Sequence, residues 1–78
     1  MPRYFFDTLD QEISFVDADG FEYADDAVAK AQAMRGLGDI VRELVYAGRV
    51  GKASVSVRRE SGAVIFTMEC TTASHDAG

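Results

Sequence analysis

The spacing of apolar residues changes twice along this chain, and these two changes restrict its fold more than any other feature. Residues 3–9 and 13–17 alternate around aromatic and β-branched types, as half-buried strands do. The spacing becomes helical from residue 27 and returns to two from residue 53, and a polar turn at residues 60–62 divides the last stretch. The order is therefore a β-hairpin, a helix and a second β-hairpin.

These elements predict an α+β fold in which two β-hairpins flank one long helix (ββαββ) and the helix packs on one face of an antiparallel sheet. The polar residues 10–12 are too few for a crossover, so they close the first hairpin. In the first strand we expect Tyr4 and Phe6 to face the core. A turn at residues 17–20 precedes a short extended segment at residues 21–23.

The length of the chain leaves room for one domain. A chain of 78 residues buries only about 60% of the surface that it exposes when unfolded. We expect a single α+β domain over residues 1–70. Residues 71–78 are small and polar and are expected to form a flexible C-terminal tail.

The helix is expected to be too long for the sheet beneath it. Asp25 or Asp26 is a suitable N-cap, and Gly48 is suited to close the last turn. Such a helix measures about 33 Å, whereas a six-residue strand covers only about 20 Å. Either Gly36 and Gly38 break the helix or its overhang packs on a second copy of the chain, and we favour the homodimer. The expected apolar face consists of Ala27, Ala31, Met34, Leu37, Val41, Leu44 and Val45.

Acidic residues are concentrated in the first third of the chain. The formal net charge is −5, and residues 1–26 carry eight acids against Arg3 alone, which gives −7 there and +2 for residues 27–78. Such a chain repels phosphate over most of its surface. Nucleic-acid binding is therefore expected only if the basic residues gather on one face.

One candidate basic stripe exists. Arg35, Arg42 and Arg49 recur every seven residues, and with Lys52 they form a candidate surface for phosphate or for an acidic partner. The simpler interpretation, which we favour, is pairing along the helix, because Asp39 lies four residues after Arg35 and three before Arg42.

The residue types that catalysis requires are few. His75, the only imidazole, falls in the expected tail, where nothing holds it near an acid or a base. Cys70 has no neighbouring His to activate it and is expected to be a small, partly buried apolar group. We therefore expect no catalytic residue, no cofactor and no enzymatic activity.

The segment containing Asp17, Asp19 and Gly20 is similar to a calcium-binding loop, in which acids at alternate positions surround the ion. The spacing differs from that of an EF-hand, which needs Gly at the sixth position and Glu at the twelfth. Counted from Asp17, Gly20 is fourth and Val28 is twelfth. We interpret the segment as an Asx-turn and predict no metal site, leaving open a weak cation bound by the carboxylates of residues 17–26.

The termini and the apolar runs indicate the compartment. The longest apolar runs, residues 4–6 and 64–66, are far shorter than the ~20 residues that cross a bilayer. The first seven residues, MPRYFFD, lack the apolar stretch and the cleavage site of a secretory signal. A lone Cys70 makes no internal disulfide, as a reducing compartment requires. These features predict a cytoplasmic protein.

The sheet face turned away from the helix is expected to carry apolar side chains. Phe5, Phe15 and Ile65 are the residues that we assign to it. An apolar patch where a polar surface is expected usually marks the binding site of a partner.

Four features together carry a resemblance to a known family. They are the opening MPRYFFD, the acidic turn at residues 17–20, the Ala-rich helix from Ala27 and the closing hairpin around residues 60–62. Over residues 1–69 the chain resembles a domain-of-unknown-function family of short proteins from rhizobia and other alphaproteobacteria. The resemblance implies this fold and a bacterial cytoplasm, and it implies no activity, cofactor or partner.

Two hypotheses for the function follow. The first is a small non-enzymatic protein-interaction module that acts as a homodimer and binds through an exposed sheet face or edge. The alternative is a small regulator or antitoxin-like protein that contacts nucleic acid through the basic stripe of Arg35, Arg42, Arg49 and Lys52. Neither hypothesis names the partner protein.

Overall fold

The first strand, β1 (Arg3–Asp10), lies inside the sheet and pairs antiparallel along both of its edges. On one edge it meets β2 (Ile13–Phe15) and β3 (Phe21–Glu22), and on the other it meets β4 (Gly51–Arg59). β4 pairs in turn with β5 (Val64–Thr72). Across the sheet the order is therefore β2 and β3 together, then β1, β4 and β5.

The computed structural model describes residues 1–77 and confirms the α+β class. Both predicted hairpins form, and β3 is the short segment expected after the turn. The two hairpins join through the long pairing of β1 with β4, so the sheet has five strands. β5 continues to Thr72, which places the expected start of the tail two residues too early. Gly78 of that tail lies outside the described residues.

β2 and β3 lie end to end along β1 and act as one interrupted edge strand. Thr8 pairs with Phe15, and Tyr4 pairs with Phe21. Three residues of β1 therefore stand opposite the five residues 16–20 of the edge. The extra residues cannot continue the ladder, so their polar backbone groups need other partners.

The helix α1 (Asp26–Tyr46) begins and ends where the sequence predicted. The Asp25 side chain accepts the Val28 backbone N–H at 2.9 Å and caps the first turn. At the other end the Gly48 N–H donates to the Val45 carbonyl and the Arg49 N–H donates to the Leu44 carbonyl, a Schellman closure with Gly48 at φ +67°. The helix runs unbroken through Gly36 and Gly38, so the break that was the alternative to the homodimer does not occur.

The buried face of α1 differs from the expected one. Leu37 and Leu44 are buried and Val41 is half-buried, as predicted, but the other buried positions are Ala29 and Ala33. The remaining four members of the expected face are exposed: Ala27, Ala31, Met34 and Val45. The helix carries two apolar stripes about 120° apart at 100° per residue. The stripe that packs on β4 combines Ala29 and Ala33 with the large side chains of Leu37 and Leu44.

The core lies between α1 and the middle of the sheet. Tyr4, Ala53, Val55 and Val57 supply its strand side, and partly buried Phe6 packs against it. The prediction that Tyr4 and Phe6 face the core is confirmed. Within residues 1–77 no helix has both the length and the apolar character that a bilayer crossing requires.

The helix sits off-centre on the sheet. It contacts β4 and β5 along its length, touches β1 much less and does not contact β2 or β3. The accessible surface is 5355 Å², whereas a protein of this mass exposes about 4,650 Å². Exposed residues 73–77 contribute to the excess, and so do the exposed apolar side chains of Ile13, Phe15 and Phe21 on the uncovered half of the sheet.

Candidate protein-interaction surfaces

The three residues of the expected partner surface do not share a face. Phe5 pairs with Arg58 on the side away from the helix, and the guanidinium carbon lies 4.7 Å from the centre of the Phe5 ring. Phe15 pairs with Thr8, three residues along β1 from Phe5, so it lies on the helix side. Ile65 packs against the core beside an irregularity in the pairing of β4 with β5. Hairpin register and a bulge decide these positions, and alternation alone does not reveal them.

Asp17 organises the loop that interrupts the edge strand. It is only 7% exposed, and its carboxylate accepts three backbone N–H groups. Oδ2 accepts from Phe6 at 3.1 Å, and Oδ1 accepts from Asp19 at 3.1 Å and Gly20 at 3.0 Å. Burial raises the pKa of Asp17, but the hydrogen bonds from Gly20, Phe6 and Asp19 outweigh it, so the net pKa is lowered.

Arg58 ties this loop to the sheet. Its Nε donates to Asp7 Oδ2 at 2.8 Å, and its Nη2 donates to the Asp17 carbonyl at 2.7 Å. Asp7 Oδ1 accepts the Asp17 backbone N–H at 3.0 Å. The hydrogen bond to Asp7 raises the pKa of Arg58, so the guanidinium stays charged. These groups satisfy one another and leave no reactive group free.

The acidic turn is therefore structural, as the sequence interpretation held. Asp17 forms an Asx-turn through its bonds to Asp19 and Gly20. Gly20 has φ +73°, and a Cβ there would lie 2.8 Å from the Tyr4 carbonyl oxygen. In the described part of the chain, His, Cys, Asp and Glu side chains form no group of three or more that could hold a metal.

A second polar cluster fixes the start of the helix on the sheet. The Tyr4 hydroxyl donates to Asp26 Oδ1 at 2.7 Å, and Arg59 donates to Asp26 Oδ2. The hydrogen bond from Arg59 and then that from Tyr4 lower the pKa of Asp26, and the same contact with Asp26 raises the pKa of Tyr4. This cluster holds the N-terminus of α1 above the end of β1.

An apolar strip lies uncovered on the helix side of β1, β2 and β3. We call it the apolar shelf and define it by Phe6, Ile13, Phe15, Phe21 and Tyr23. Ile13 is 74% exposed, Phe15 61% and Phe21 57%. The Phe6 ring meets the rings of Phe21 and Tyr23 edge-to-face, with centroids 6.0 and 5.9 Å apart. The shelf is therefore a pre-formed aromatic platform.

A groove of about 200 Å³ separates the shelf from the helix. Its walls are mostly apolar and come from both sides. The lining residues are Phe6, Thr8, Phe21, Tyr23 and Val55 from the sheet side, with Gln32, Ala33, Gly36 and Ile40 from α1. A Cβ added to Gly36 would meet nothing within 4 Å, so the groove stays wide at that point.

Acidic groups border the shelf. Asp39 and Glu43 lie seven residues after Gln32 and Gly36, which places them on the groove flank of α1. Asp10 pairs with Ile13 and lies on the helix side of the sheet. Its Oδ1 is buried and has no hydrogen-bond partner among the described residues.

The opposite edge of the molecule forms a second surface, which we call the β5 flank. It combines the unpaired edge of the nine-residue β5 with the exposed helix stripe. The Lys30 ammonium lies 5.2 Å from the centre of the Phe66 ring, which shows that this side of α1 stands above β5. The stripe consists of the exposed residues Ala27, Ala31, Met34, Gly38 and Val45 and of Val41, which is half-buried against the core.

The four residues of the candidate basic stripe are dispersed. Of the two pairs expected in the simpler interpretation, Arg42 pairs with Asp39 at 3.5 Å, and no pair of Arg35 with Asp39 forms among the described residues. Arg49 lies beyond the helix, where it donates to Gln11 at 2.6 Å, and Lys52 lies on β4 opposite Glu69 at 3.6 Å. Arg35 shares a helix face with Arg42 alone. The helix ends at Tyr46, so the repeat of seven does not continue to Arg49.

The two nucleophile candidates lie apart from the groove. Cys70 on β5 is partly buried and packs against the core, as expected. His75 is exposed and follows the last strand.

The sequence interpretation missed the shelf. Its signal was present in the aromatic residues Phe21 and Tyr23, which follow the acidic turn at the same spacing of two as Tyr4 and Phe6. Their significance depends on β3 pairing with the start of β1. That pairing depends in turn on how the loop at residues 16–20 closes.

Comparison with known proteins identifies one family. The family described as Domain of unknown function (DUF6894) matches residues 3–71. No curated protein and no solved structure matches the chain. The match spans all six elements apart from the last residue of β5. The proposed bacterial origin stays a prediction.

Proposed function

Because this chain belongs to the DUF6894 family, whose description assigns no activity, we propose its function from its surfaces: it is a non-enzymatic protein-interaction module that acts as a homodimer. The observation that carries the proposal is the β5 flank, where a long unpaired strand edge lies beside an exposed apolar helix stripe. Each of these features is a recognised site of association.

The strand edge is unprotected. β5 has nine residues, no Pro and a single charge, Glu69, which pairs with Lys52. Proteins usually protect an edge of this length with charges, Pro, bulges or a covering element. The irregularity near Arg58 and Val64 affects only the start of the strand. The remainder is suited to pair with the same strand of a second copy.

The helix stripe has the spacing of a helix–helix contact. Its members alternate at intervals of four and three residues, which is the pattern of positions that pack against a partner helix. Met34 is 42% exposed and Val45 is 59% exposed, although both are apolar. Ala27, Ala31 and Gly38 are small, so a second helix can approach closely.

A single two-fold axis between two copies brings together both their β5 edges and their helix stripes. If two β5 strands pair antiparallel, about 4.8 Å apart, the sheet continues from one copy into the next. Each α1 lies over β4 and β5, so the two helix axes lie about 10 Å apart, within the usual packing distance of 8–10 Å. The pairing of the two β5 strands and the packing of the two α1 helices are therefore satisfied at the same distance between the copies.

The area is sufficient for a stable dimer at the low end of the usual range. The flank is about 30 Å long, set by nine strand residues and by the helix, and it is two layers thick. It buries on the order of 600 Å² per copy, against a lower limit of about 600 Å² per partner for specific complexes.

The test is the mass in solution of three proteins. The wild-type chain is expected to have the mass of two chains by light scattering at micromolar concentration. Met34→Lys is expected to have the mass of one chain, because it places a charge in the helix contact. Val28→Lys is the matched control: Val28 is 38% exposed, close to the 42% of Met34, but lies on the other side of α1.

A monomeric wild-type protein overturns the homodimer, and so does a dimeric Met34→Lys variant. Far-UV circular dichroism of both variants establishes that they fold. The nucleic-acid alternative gains no support from the geometry, because Arg49 and Lys52 lie off the helix and three of the four basic residues have partners.

A further inference from the structure

We propose that the apolar shelf binds an amphipathic helix of a partner protein, with apolar residues on one face and Lys or Arg beside them. The shelf lies at the opposite edge of the sheet from the β5 flank. The proposal is therefore independent of the homodimer and goes beyond it.

The width of the open strip selects a helix as the occupant. A sheet four strands wide measures about 19 Å at 4.8 Å per strand. Helices on a sheet lie about 10 Å apart, so there is room for two. α1 occupies the half over β4 and β5, and the half over β1, β2 and β3 has the width of one more helix.

The groove provides the contact for a large side chain. A cavity of about 150 Å³ accepts a benzene-sized group, and the groove measures about 200 Å³. Phe6, Phe21 and Ile40 supply apolar walls, and Gly36 removes the side chain that would otherwise narrow it. One Leu or Phe of the incoming helix fits there, and its neighbours at i+3 and i+4 reach Phe15 and Ile13.

The negative charge at the border of the shelf favours a partner helix that carries basic residues. Among the described residues, Asp10 and Glu43 border the shelf without an ion-pair partner. Asp39 pairs with Arg42, and Asp7 and Asp26 are paired with Arg58 and Arg59, so these three acids add little to the charge of the border. Asp10 contributes a buried carboxylate oxygen without a partner, one step along the same face of β1 from Thr8 of the groove. An incoming ammonium or guanidinium group is attracted to this carboxylate.

The same charges argue against a second copy at the shelf. Two shelves brought together would place the acidic segments of both chains side by side, and like charges at an interface oppose association. The shelf is therefore assigned to a different protein with a basic helix.

The test uses two synthetic helical peptides of the same length. One carries Leu at positions i, i+3, i+4 and i+7 with Lys at the polar positions, and the other carries Glu in place of Lys. Binding is measured by fluorescence anisotropy, and the site is mapped by amide chemical shifts. The Lys peptide is expected to bind at least tenfold more tightly than the Glu peptide and to shift the amides of Phe21, Gly36 and Ile40.

Two variants of the chain separate the shelf from general attraction between opposite charges. Gly36→Leu fills the groove and is expected to weaken the Lys peptide at least tenfold. Gly38→Leu is the matched control, because its Cβ also meets nothing within 4 Å but lies on the other side of α1. It is expected to leave peptide binding unchanged, although it alters the proposed dimer contact.

Several results overturn the proposal. They are no binding of the Lys peptide, equal binding of the two peptides, equal loss in both Gly variants, or shifts confined to β5. Unfolding in urea confirms that both variants keep the fold. Intact peptide binding by Gly38→Leu supports the shelf proposal, whether or not this variant or the wild-type chain forms a dimer.

Discussion

A single buried carboxylate holds the most irregular part of this protein. Asp17 receives three backbone N–H groups from β1 and from its own turn. These bonds replace the ladder that the five edge residues 16–20 cannot make with the three residues opposite them. The aromatic shelf depends on this closure, because β3 meets the start of β1 only after the loop has returned. The Asp17 carboxylate therefore acts on the fold by closing this loop.

Replacing Asp17 tests this role. Asp17→Asn presents an N–H group where the Phe6 N–H needs an acceptor, so we expect the free energy of unfolding at pH 7 to fall by about 1–3 kcal/mol. Asp19→Asn is the control, since Asp19 contributes only its backbone to the hydrogen bonds of the turn. Urea unfolding measures both. An equal effect of the two substitutions would contradict the proposed role.

Because the pKa of Asp17 is lowered, the difference in unfolding free energy between wild type and Asp17→Asn depends on pH. The unfolded carboxyl titrates at about 3.9, above the folded one, so the unfolded chain binds more protons in that window. The stabilisation is complete above about pH 5, where the unfolded carboxyl is ionised, and is lost progressively as the pH falls through the folded pKa. The gap in unfolding free energy between wild type and Asp17→Asn should therefore shrink from pH 7 to pH 3.

Among the elements, the helix has ends that are determined by local residues and a buried face that is determined by packing on the sheet. Its ends are set by residues next to them in sequence, Asp25 at the start and Gly48 at the finish. Its buried face is set by the sheet, which selects the stripe of Ala29 and Ala33 over that of Met34 and Val45. Gly36 remains in the middle, although it lowers helix stability, and leaves the groove open.

Gly36 within the helix and Gly48 just beyond its end should respond oppositely to substitution by Ala. Gly36→Ala adds a Cβ into open space within the helix, so the free energy of unfolding should rise by about 0.5–1 kcal/mol. Gly48→Ala places a Cβ at φ +67°, so it should fall by about 1–2 kcal/mol. Urea unfolding of the two variants checks both signs. Destabilisation by Gly36→Ala would show that the position is more crowded than its geometry indicates.

For the whole molecule, the lateral position of one helix creates two different surfaces. Because α1 lies over β4 and β5, the half of the same face over β1, β2 and β3 is left open as the apolar shelf with its acidic border. At the opposite edge, β5 and the exposed stripe of α1 form the β5 flank, which is apolar and close to neutral. The proposed dimer uses the flank and leaves both shelves open, one at each end of the assembly.

Dimerisation should make thermal stability depend on protein concentration. Only the folded chains associate, so the midpoint of unfolding should rise by about 5–10 °C over a hundredfold increase in concentration. Met34→Lys should show no such rise, whereas Val28→Lys should behave as wild type. Differential scanning calorimetry makes the measurement. A concentration-independent midpoint in the wild-type chain would contradict the dimer.

The sequence predicted most of the elements and little of the binding surfaces. The strands, the N-cap and the glycine closure follow from spacing and from contacts between near neighbours, and so does the Asx-turn at Asp17. The grouping of Phe5, Phe15 and Ile65 did not follow, because the hairpin register and a bulge decide which side of the sheet each residue faces. The repeat of Arg35, Arg42 and Arg49 likewise continued past the end of the helix.

What the sequence determined by itself is local: which residues form strands, where the helix begins and ends, and how its turns close. These depend on hydrogen bonds and side-chain periods within a few residues. Only the tertiary structure decided that β1 is central, that the helix lies to one side and that Phe21 and Ile13 stay exposed. Those outcomes depend on the pairing of β1 with β4 and on the packing of α1 over β4 and β5. These contacts join residues far apart in the chain.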